Sequence, residues 1–375
     1  LVANRGEIAC RILKTLREMG VPSVAVYTDP DRRSPHPDLA DEAVPLGAAE
    51  HYLSIPSLLA AAKKSGAGAL HPGYGFLSQS PAFARACAEA GLTFIGPGPE
   101  AMEALGDKKA SRASAQKLGV PVIPGAETVD SLPQLQEAAA RLGYPVLVKA
   151  AGGGGGKGMK RANSAADLQE AYESARREAK RAFGDDRLLL EKYIQSARHI
   201  EVQILGDGRE VVALGERDCS LQRRFQKVIE EGPAPQLPEA IRQALMESAV
   251  KIGRAAGYRS AGTVEFLVEP GGAYYFLEVN TRLQVEHPVT EMITGLDLVR
   301  AQIEIADGGP LPAPPVPRGH AIEARLNAED PYRGFLPQTG RILMAEWPHS
   351  PGVRVDHGLR EGQEIGSHYD SLLAK

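Results

Sequence analysis

The stretch of this 375-residue sequence best equipped for chemistry is a pair of strand-like segments, Thr263-Val264-Glu265-Phe266-Leu267-Val268-Glu269 and Tyr274-Tyr275-Phe276-Leu277-Glu278-Val279-Asn280, joined through Pro270-Gly271-Gly272-Ala273. Folded symmetrically about Gly271-Gly272, the hairpin sets Val268 opposite Tyr275 and Glu265 opposite Glu278. Val264, Phe266, Val268, Tyr275, Leu277 and Val279 then share an apolar face, and Glu265, Glu278 and Asn280 share the other. Directly opposed side chains have Cβ atoms ~5 Å apart, so two like charges there need compensation. A divalent cation supplies it, and Mg²⁺ favours carboxylate oxygens together with phosphate oxygens. The chain runs on through Thr281-Arg282-Leu283-Gln284-Val285-Glu286-His287-Pro288. If extended, it projects Arg282, Gln284 and Glu286 the same way. A guanidinium fork, an amide and a proton-accepting carboxylate suit a small planar anion.

A second element able to hold phosphate is Ala150-Ala151-Gly152-Gly153-Gly154-Gly155-Gly156-Lys157-Gly158, directly after an apolar strand ending in Lys149. Glycines let backbone N–H groups close around phosphate oxygens. This is not a Walker A loop, which needs Gly at 151 and Ser or Thr at 158, where the chain has Ala151 and Gly158. Nor is it a dinucleotide fingerprint, since the first strand–helix turn, Asn4-Arg5-Gly6, has a single glycine. The expectation is a glycine flap over a nucleotide's phosphates with Lys149 beside it as a point charge.

These pieces require a scaffold. Leu1–Ala3, Val24–Tyr27, Ala67–Leu70 and Leu92–Ile95 read as strands. They are separated by helices at about 6–19, 52–65 and 81–90, so a parallel sheet with flanking helices is expected to about Pro97. One helix is expected around Met102–Leu118. A compact unit follows, with helices Leu132–Leu142 and Ala165–Arg181 and strands Val146–Lys149 and Leu188–Glu191. Beyond Tyr193 strands dominate. Ile200–Ile204 alternates strictly, Gly206-Asp207-Gly208 turns it into a return strand Val211–Leu214, and a helix spans Pro238–Ala256. Asp307–Pro317, rich in Gly and Pro, reads as a surface loop.

Composition restricts the function. Lys+Arg 43 against Asp+Glu 47 leaves a net charge of −4, which argues against broad nucleic-acid or anionic-membrane binding. No apolar run reaches transmembrane length. Cys10, Cys87 and Cys219 are odd in number and lack a CxxC pattern, as expected of free thiols in a cytoplasmic protein. The chain begins on Leu1 and stops at Lys375 within an element-like stretch, so a fragment of a longer protein is expected.

In these segments the chain resembles the biotin carboxylase component of biotin-dependent acyl-CoA carboxylases, an ATP-grasp family. The matching motifs are ANRGEIACRI (3–12), HPGYGFLS (71–78), GDK (106–108), GYPVLVKAAGGGGGKGM (143–159), EKYI (191–194), RHIEVQIL (198–205), ERDCSLQRRFQK (216–227), EFLVE (265–269), FLEVNTRLQVEHPVTEMITG (276–295) and RLNAEDP (325–331). The glycine run alone fits several ATP-grasp enzymes; the Arg282/Gln284/Glu286 trio and Arg325 distinguish this family from carboxylate–amine ligases.

The resemblance implies an α/β ATP-grasp fold. Residues 1–97 would form a Rossmann-like domain, 98–120 a helical linker, 121–193 a small α+β lid, and 194–375 a larger mixed α+β region. It implies that ATP phosphorylates bicarbonate to carboxyphosphate and that biotin, carried on another domain or subunit, is carboxylated. Gly158-Met159-Lys160-Arg161 lacks the second Met of a biotin attachment site. Carried over by position, Lys108 and Lys149 meet ATP phosphates, Gly152, Gly153, Gly154, Gly155 and Gly156 form the flap, and Met159, Glu191, Lys192, Ile194 and Leu267 line the nucleotide pocket. His199 and Gln222 approach the ribose, and Glu265, Glu278 and Asn280 ligate Mg²⁺, with Mn²⁺ substituting. Lys227, Arg282, Gln284 and Val285 hold bicarbonate, Glu286 is the base, and Arg325 with Tyr74 nearby stabilises the biotin enolate. Arg11 would lie on a homodimer face, and carrier and carboxyltransferase domains or subunits would be partners. Phe225 stands where the family often has a polar residue and cannot donate to nucleotide oxygens.

Overall fold

The computed structural model describes residues 1–150 and 159–375. Leu1–Ala3 forms the middle of the N-terminal sheet, because Val2 bridges in parallel to Ala25 on one side and His71 on the other. Around it run α1 (Gly6–Glu18), β1 (Val24–Thr28), α2 (Pro35–Leu39), β2 (Glu42–Gly47), α3 (Ile55–Ser65), β3 (Ala69–Leu70), α4 (Pro81–Glu89) and β4 (Thr93–Phe94). β1 pairs with β2 and β3 with β4, both parallel, as expected of alternating strands and helices. α2 and β2 escape sequence periodicity: α2 is barely a turn long, and in β2 only Val44 is fully buried. The helix expected from Tyr52 starts at Ile55, because the Ser54 hydroxyl caps it by accepting from Ser57 N, and Tyr52 belongs to a preceding 3₁₀ turn.

The single helix expected at 102–118 is two, α5 (Pro99–Gly106) and α6 (Lys108–Lys117). Asp107 between them is extended and accepts from Ala110 N at 2.7 Å, capping α6. Ala101, Leu105 and Ala115 are buried in the main core, so this stretch is packed structure more than linker.

The next unit comprises β5 (Gly125–Val129), α7 (Leu132–Leu142), β6 (Val146–Ala150), β7 (Met159–Ala162), α8 (Ala165–Phe183) and β8 (Leu188–Lys192). Its antiparallel sheet has the order β5-β8-β6-β7 and shares a core with both helices. Then come β9 (Arg198–Asp207), β10 (Val211–Arg223), β11 (Gln226–Gly232), α9 (Glu239–Ala255), β12 (Arg259–Val268), β13 (Tyr274–Asn280), α10 (His287–Thr294), α11 (Leu298–Ala306) and β14 (Ala321–Ala324). These build a six-stranded antiparallel sheet ordered β13-β12-β9-β10-β11-β14. β10 extends well beyond the expected Leu214. After β14 the chain forms short two-stranded ladders.

One face of this sheet is apolar: Ile200, Val202, Ile204, Val264 and Phe266 pack with Leu245, Ala249 and Ile252 of α9. Burying each of the Ile, Val, Leu and Phe side chains favours folding by about 1.5–3 kcal/mol. The opposite face carries the charges described below. The β12–β13 hairpin pairs Glu265 with Glu278, as expected, but Val268 faces Tyr274 and not Tyr275. A bulge after Glu265 shifts the register, so Phe276, not Leu277, enters the core with Val279. An extra residue on one strand reverses which side chains face inward beyond it. Nor is the segment after Asn280 an extended strand: it turns irregularly, and Glu286 occupies the N-cap position of α10. Arg11, expected on a dimer face, is buried within the chain, where Nη2 bonds Glu291 (2.8 and 3.0 Å) and Asp297 (2.8 Å). Among the described residues no helix is long and apolar enough to cross a membrane.

Candidate active site

Pairing places a charged row across four strands of the polar sheet face. Arg217 on β10 pairs with Glu201 on β9, Glu201 with Glu265 on β12, and Glu265 with Glu278 on β13. One rung away Gln203 pairs with Thr263, and Thr263 with Asn280; on the other side His199 pairs with Leu267. Period-2 alternation puts all of these side chains on one face.

Lys227 from β11 reaches into the row. Its Nζ donates to Glu265 (2.8 Å), Glu286 (2.7 Å) and Glu201. Glu286 is fully buried, and its second oxygen accepts from Arg325 Nη2 at 2.8 Å. Arg325 Nε bonds Glu230 at 2.7 Å. Glu265 also accepts from Asn280 (2.8 Å) and Gln284 (3.3 Å), and His199 Nε2 lies 2.9 Å from its other oxygen. Arg282 donates to Gln284 Oε1 (2.8 Å) and Asn280 Oδ1 (3.2 Å). The trio Arg282, Gln284 and Glu286 thus converges through the turn, without the strand that motivated it.

Charge follows from this geometry. Burial alone raises a carboxylic acid's pKa, but the adjacent cations win at Glu286, where Lys227, Arg325 and Arg217 hold it well below the usual range. Glu265 is likewise held low against burial by Lys227 and His199. Burial would lower the Lys227 ammonium, yet Glu201, Glu265 and Glu286 push it well above its ordinary value. Arg282 is lowered by burial, with Glu286 and Glu265 opposing.

On the small sheet, Lys149 of β6 pairs with Glu191 of β8, which Arg112 also contacts at 3.0 Å. Lys192 Nζ donates to the carbonyls of Gly143 (2.8 Å) and Tyr144 (3.0 Å). Met159 faces Lys149 across the ladder, and Ile194 is half-buried just past β8. Lys108, at the start of α6, lies 3.3 Å from Glu278 and so joins this cationic side to the acidic row. The expected flap, Gly152 to Gly156, lies outside the described residues. Gln222 Nε2 lies 3.1 Å from His199 Nδ1, so the two residues expected at a ribose are neighbours. Val285 offers its carbonyl to Lys375 Nζ (2.6 Å), whose ammonium sits 5.5 Å from the Tyr74 ring centroid. Phe225 is 65% exposed at the β10–β11 turn, with φ +65°. Cys219 is a buried thiol raised well above its usual pKa, chiefly by burial.

Sequence periodicity does not single out Glu201, Arg217, Glu230 or Lys375. Glu201 lies in the alternating Ile200–Ile204 run, where its face reads as solvated, but that face is covered by α10 and the 281–286 turn. Arg217 lies beyond Leu214, where the expected strand ends, but within β10.

A lysine-bearing antiparallel lid sheet, an acid-lined six-stranded sheet and an N-terminal parallel sheet together define an ATP-grasp enzyme. The family profile for the carbamoyl-phosphate synthase L chain ATP-binding domain matches residues 107–313, and those for the biotin carboxylase N- and C-terminal domains match 1–102 and 323–375. The chain belongs to the biotin carboxylase family. It is 48% identical over 383 residues to a biotin carboxylase of Nostoc sp., covering all of this chain and 86% of that protein. It is 49% identical over 384 residues to the mitochondrial methylcrotonoyl-CoA carboxylase subunit alpha of Mus musculus, covering all of this chain and 54% of the relative. The chain thus spans about half the length of several carboxylase alpha subunits it matches. Among solved structures, a Campylobacter jejuni biotin carboxylase complex superposes with TM-score 0.94 at 45% identity, covering all of this chain and 85% of that one. A biotin carboxylase domain dimer of Hydrogenobacter thermophilus 2-oxoglutarate carboxylase, in complex with MgADP and bicarbonate, gives TM-score 0.93 at 45% identity, covering all of this chain and 84% of that one.

Proposed function

We propose that this chain catalyses the ATP- and bicarbonate-dependent carboxylation of biotin borne on a separate carrier domain. This is the first half-reaction of a biotin-dependent acyl-CoA carboxylase. The observation that carries the reading is Lys227, one ammonium shared by Glu265, Glu286 and Glu201. It joins a metal-suited carboxylate to a buried base.

Glu265 and Glu278 offer carboxylate oxygens and Asn280 an amide oxygen, which here accepts from Arg282 while Asn280 Nδ2 donates to Glu265; each carboxylate is met by a lysine, Lys227 or Lys108, which marks a demand for positive charge. That donor set fits Mg²⁺ or Mn²⁺. Such an ion supplies charge neutralisation to the nucleotide's phosphates. Lys108 and Lys149 approach the same phosphates, and Met159, Glu191, Lys192, Ile194 and Leu267 line the base pocket beside His199 and Gln222 at the ribose. Arg282, Gln284, Lys227 and the Val285 backbone hold bicarbonate. Glu286, ionised at neutral pH, takes the bicarbonate proton, and the freed oxygen attacks the γ-phosphorus of ATP as ADP leaves. The resulting carboxyphosphate breaks down to CO₂ and phosphate, phosphate takes the N1′ proton of biotin, and the enolate attacks CO₂. Arg325, beside Glu286 and Glu230, holds the enolate charge, with Tyr74 near it.

The domain division 1–97, 98–120, 121–193 and 194–375 belongs to this proposal, as do a homodimer, carrier and carboxyltransferase partners, and a cytoplasmic location consistent with three free cysteines. Assay of ATP hydrolysis by the intact protein tests the reading. Hydrolysis should require bicarbonate and rise strongly with free biotin; turnover indifferent to bicarbonate would overturn it.

A further inference from the structure

Arg217 is fully buried, and its guanidinium is the hub of the polar face. Nε donates to Glu201 Oε1 at 2.6 Å, with Nη2 2.5 Å from the same oxygen. Nη1 donates to Gln203 Oε1 (2.8 Å) and Thr290 Oγ1 (2.7 Å), and Nη2 to Thr263 Oγ1 (3.3 Å). With its donors all engaged, the fork has one orientation.

These bonds close a circuit. Glu201 holds Lys227, Lys227 holds Glu286 (2.7 Å), and Glu286 stands at the N-cap position of α10, its backbone carbonyl accepting from Val289 N (3.2 Å), while Thr290 of that helix returns to Arg217 (2.7 Å). The proposed base is therefore fixed from two directions, through its carboxylate and through the backbone of the helix it begins. The nucleotide-side groups Lys149, Glu191 and Lys192 lie outside the circuit and are tied to the small sheet.

We propose that Arg217 is a positioning residue for bicarbonate activation, acting on Glu286 through Glu201–Lys227 and through Thr290 of α10. The inference rests on the biotin carboxylase reading above. Without the fork, Glu201 keeps Lys227 but loses its own anchor, and both bonds that place Lys227 and Glu286 relax together.

Steady-state kinetics of the intact protein test this, with bicarbonate and MgATP varied separately. Arg217→Lys keeps the charge and loses the fork; misplacement of reacting groups by about 1 Å costs on the order of 10²-fold. The bicarbonate KM should rise roughly 10–100-fold while the ATP KM stays within about threefold. Thr290→Val removes one bond to α10 and should shift the bicarbonate KM the same way, by about 2–10-fold, the worth of one net hydrogen bond. Arg217→Met paired with Glu201→Gln removes both buried charges; it should recover thermal stability relative to Arg217→Met alone and leave the bicarbonate KM raised. A bicarbonate KM at the wild-type value in Arg217→Lys, a parallel rise in ATP KM, or kinetic recovery in the double variant would overturn the positioning role. If Arg217→Lys does not fold, Thr290→Val decides by the same criteria. A wild-type protein with no bicarbonate dependence would instead sink the underlying functional reading.

Discussion

Lys227→Met removes one cation from three buried carboxylates. In the wild type its ammonium lies 2.8 Å from Glu265 and 2.7 Å from Glu286, and it also bonds Glu201. A hydrogen bond to a charged group contributes about 1.5–3 kcal/mol, and stripping one partner from a buried pair costs about 3–5 kcal/mol. His199, Arg217 and Arg325 still contact these acids, so the expected loss is about 4 kcal/mol at pH 8 and not three full bonds. The loss should depend on pH with a definite sign. In the wild type Glu265 and Glu286 titrate below their unfolded value, so their contribution is present above that value and is lost only as pH falls through the folded pKa. In the variant burial prevails and the acids rise above the ordinary value. The folded variant then binds extra protons, and its stability increases as pH falls, by about 1.4 kcal/mol per unit for each group that titrates. Urea unfolding of both proteins, followed by circular dichroism at pH 8 and pH 5.5, measures the gap. It should narrow by at least about 1.4 kcal/mol at the lower pH. A gap below about 1 kcal/mol at pH 8, or an equal gap at both pH values, would refute the argument that this lysine neutralises the row.

Arg282→Ala should abolish bicarbonate-dependent turnover and leave MgATP affinity, read by calorimetry, nearly intact; lost ATP binding contradicts its role. Glu230 is pushed up to about 7, chiefly by burial and against Arg325. A raised acid favours the folded state below its unfolded pKa and costs stability as pH climbs through the folded one. Glu230→Gln should therefore remove roughly 3 kcal/mol of stability loss between pH 5 and pH 8, visible as a flatter plot of unfolding free energy against pH. A Cβ at Gly206 would stand 2.1 Å from the Tyr258 carbonyl oxygen, so Gly206→Ala should cost at least about 1–3 kcal/mol by thermal denaturation.

Much of the site was legible because its residues are close in sequence or share a strand. Glu265, Glu278 and Asn280 could be aligned by alternation across one tight turn, and Lys149 by the strand that precedes the glycine run. The error in the same hairpin is instructive: equal strand lengths predict Tyr275 opposite Val268, but a bulge at Leu277 costs no recognisable residue type, so only paired backbones reveal it. An extended strand would project Arg282, Gln284 and Glu286 together; the chain turns there instead, and the three converge because the turn joins Arg282 to Gln284 and brings Glu286 to Lys227.

The amino-acid order alone determined the alternation of the main strands and helices, though not α2, β2 or the break between α5 and α6, together with the absence of Walker and dinucleotide glycine patterns and the carboxylate pair of the hairpin. These depend on periodicity and on turns a few residues long. Only the tertiary structure decided that Arg217, Glu201, Glu265 and Glu278 stand in one row, that Lys227 serves three acids, and that Arg11 is interior. Strand order and the covering of a polar face depend on contacts between residues distant along the chain. Burial then sets which charges must be paired.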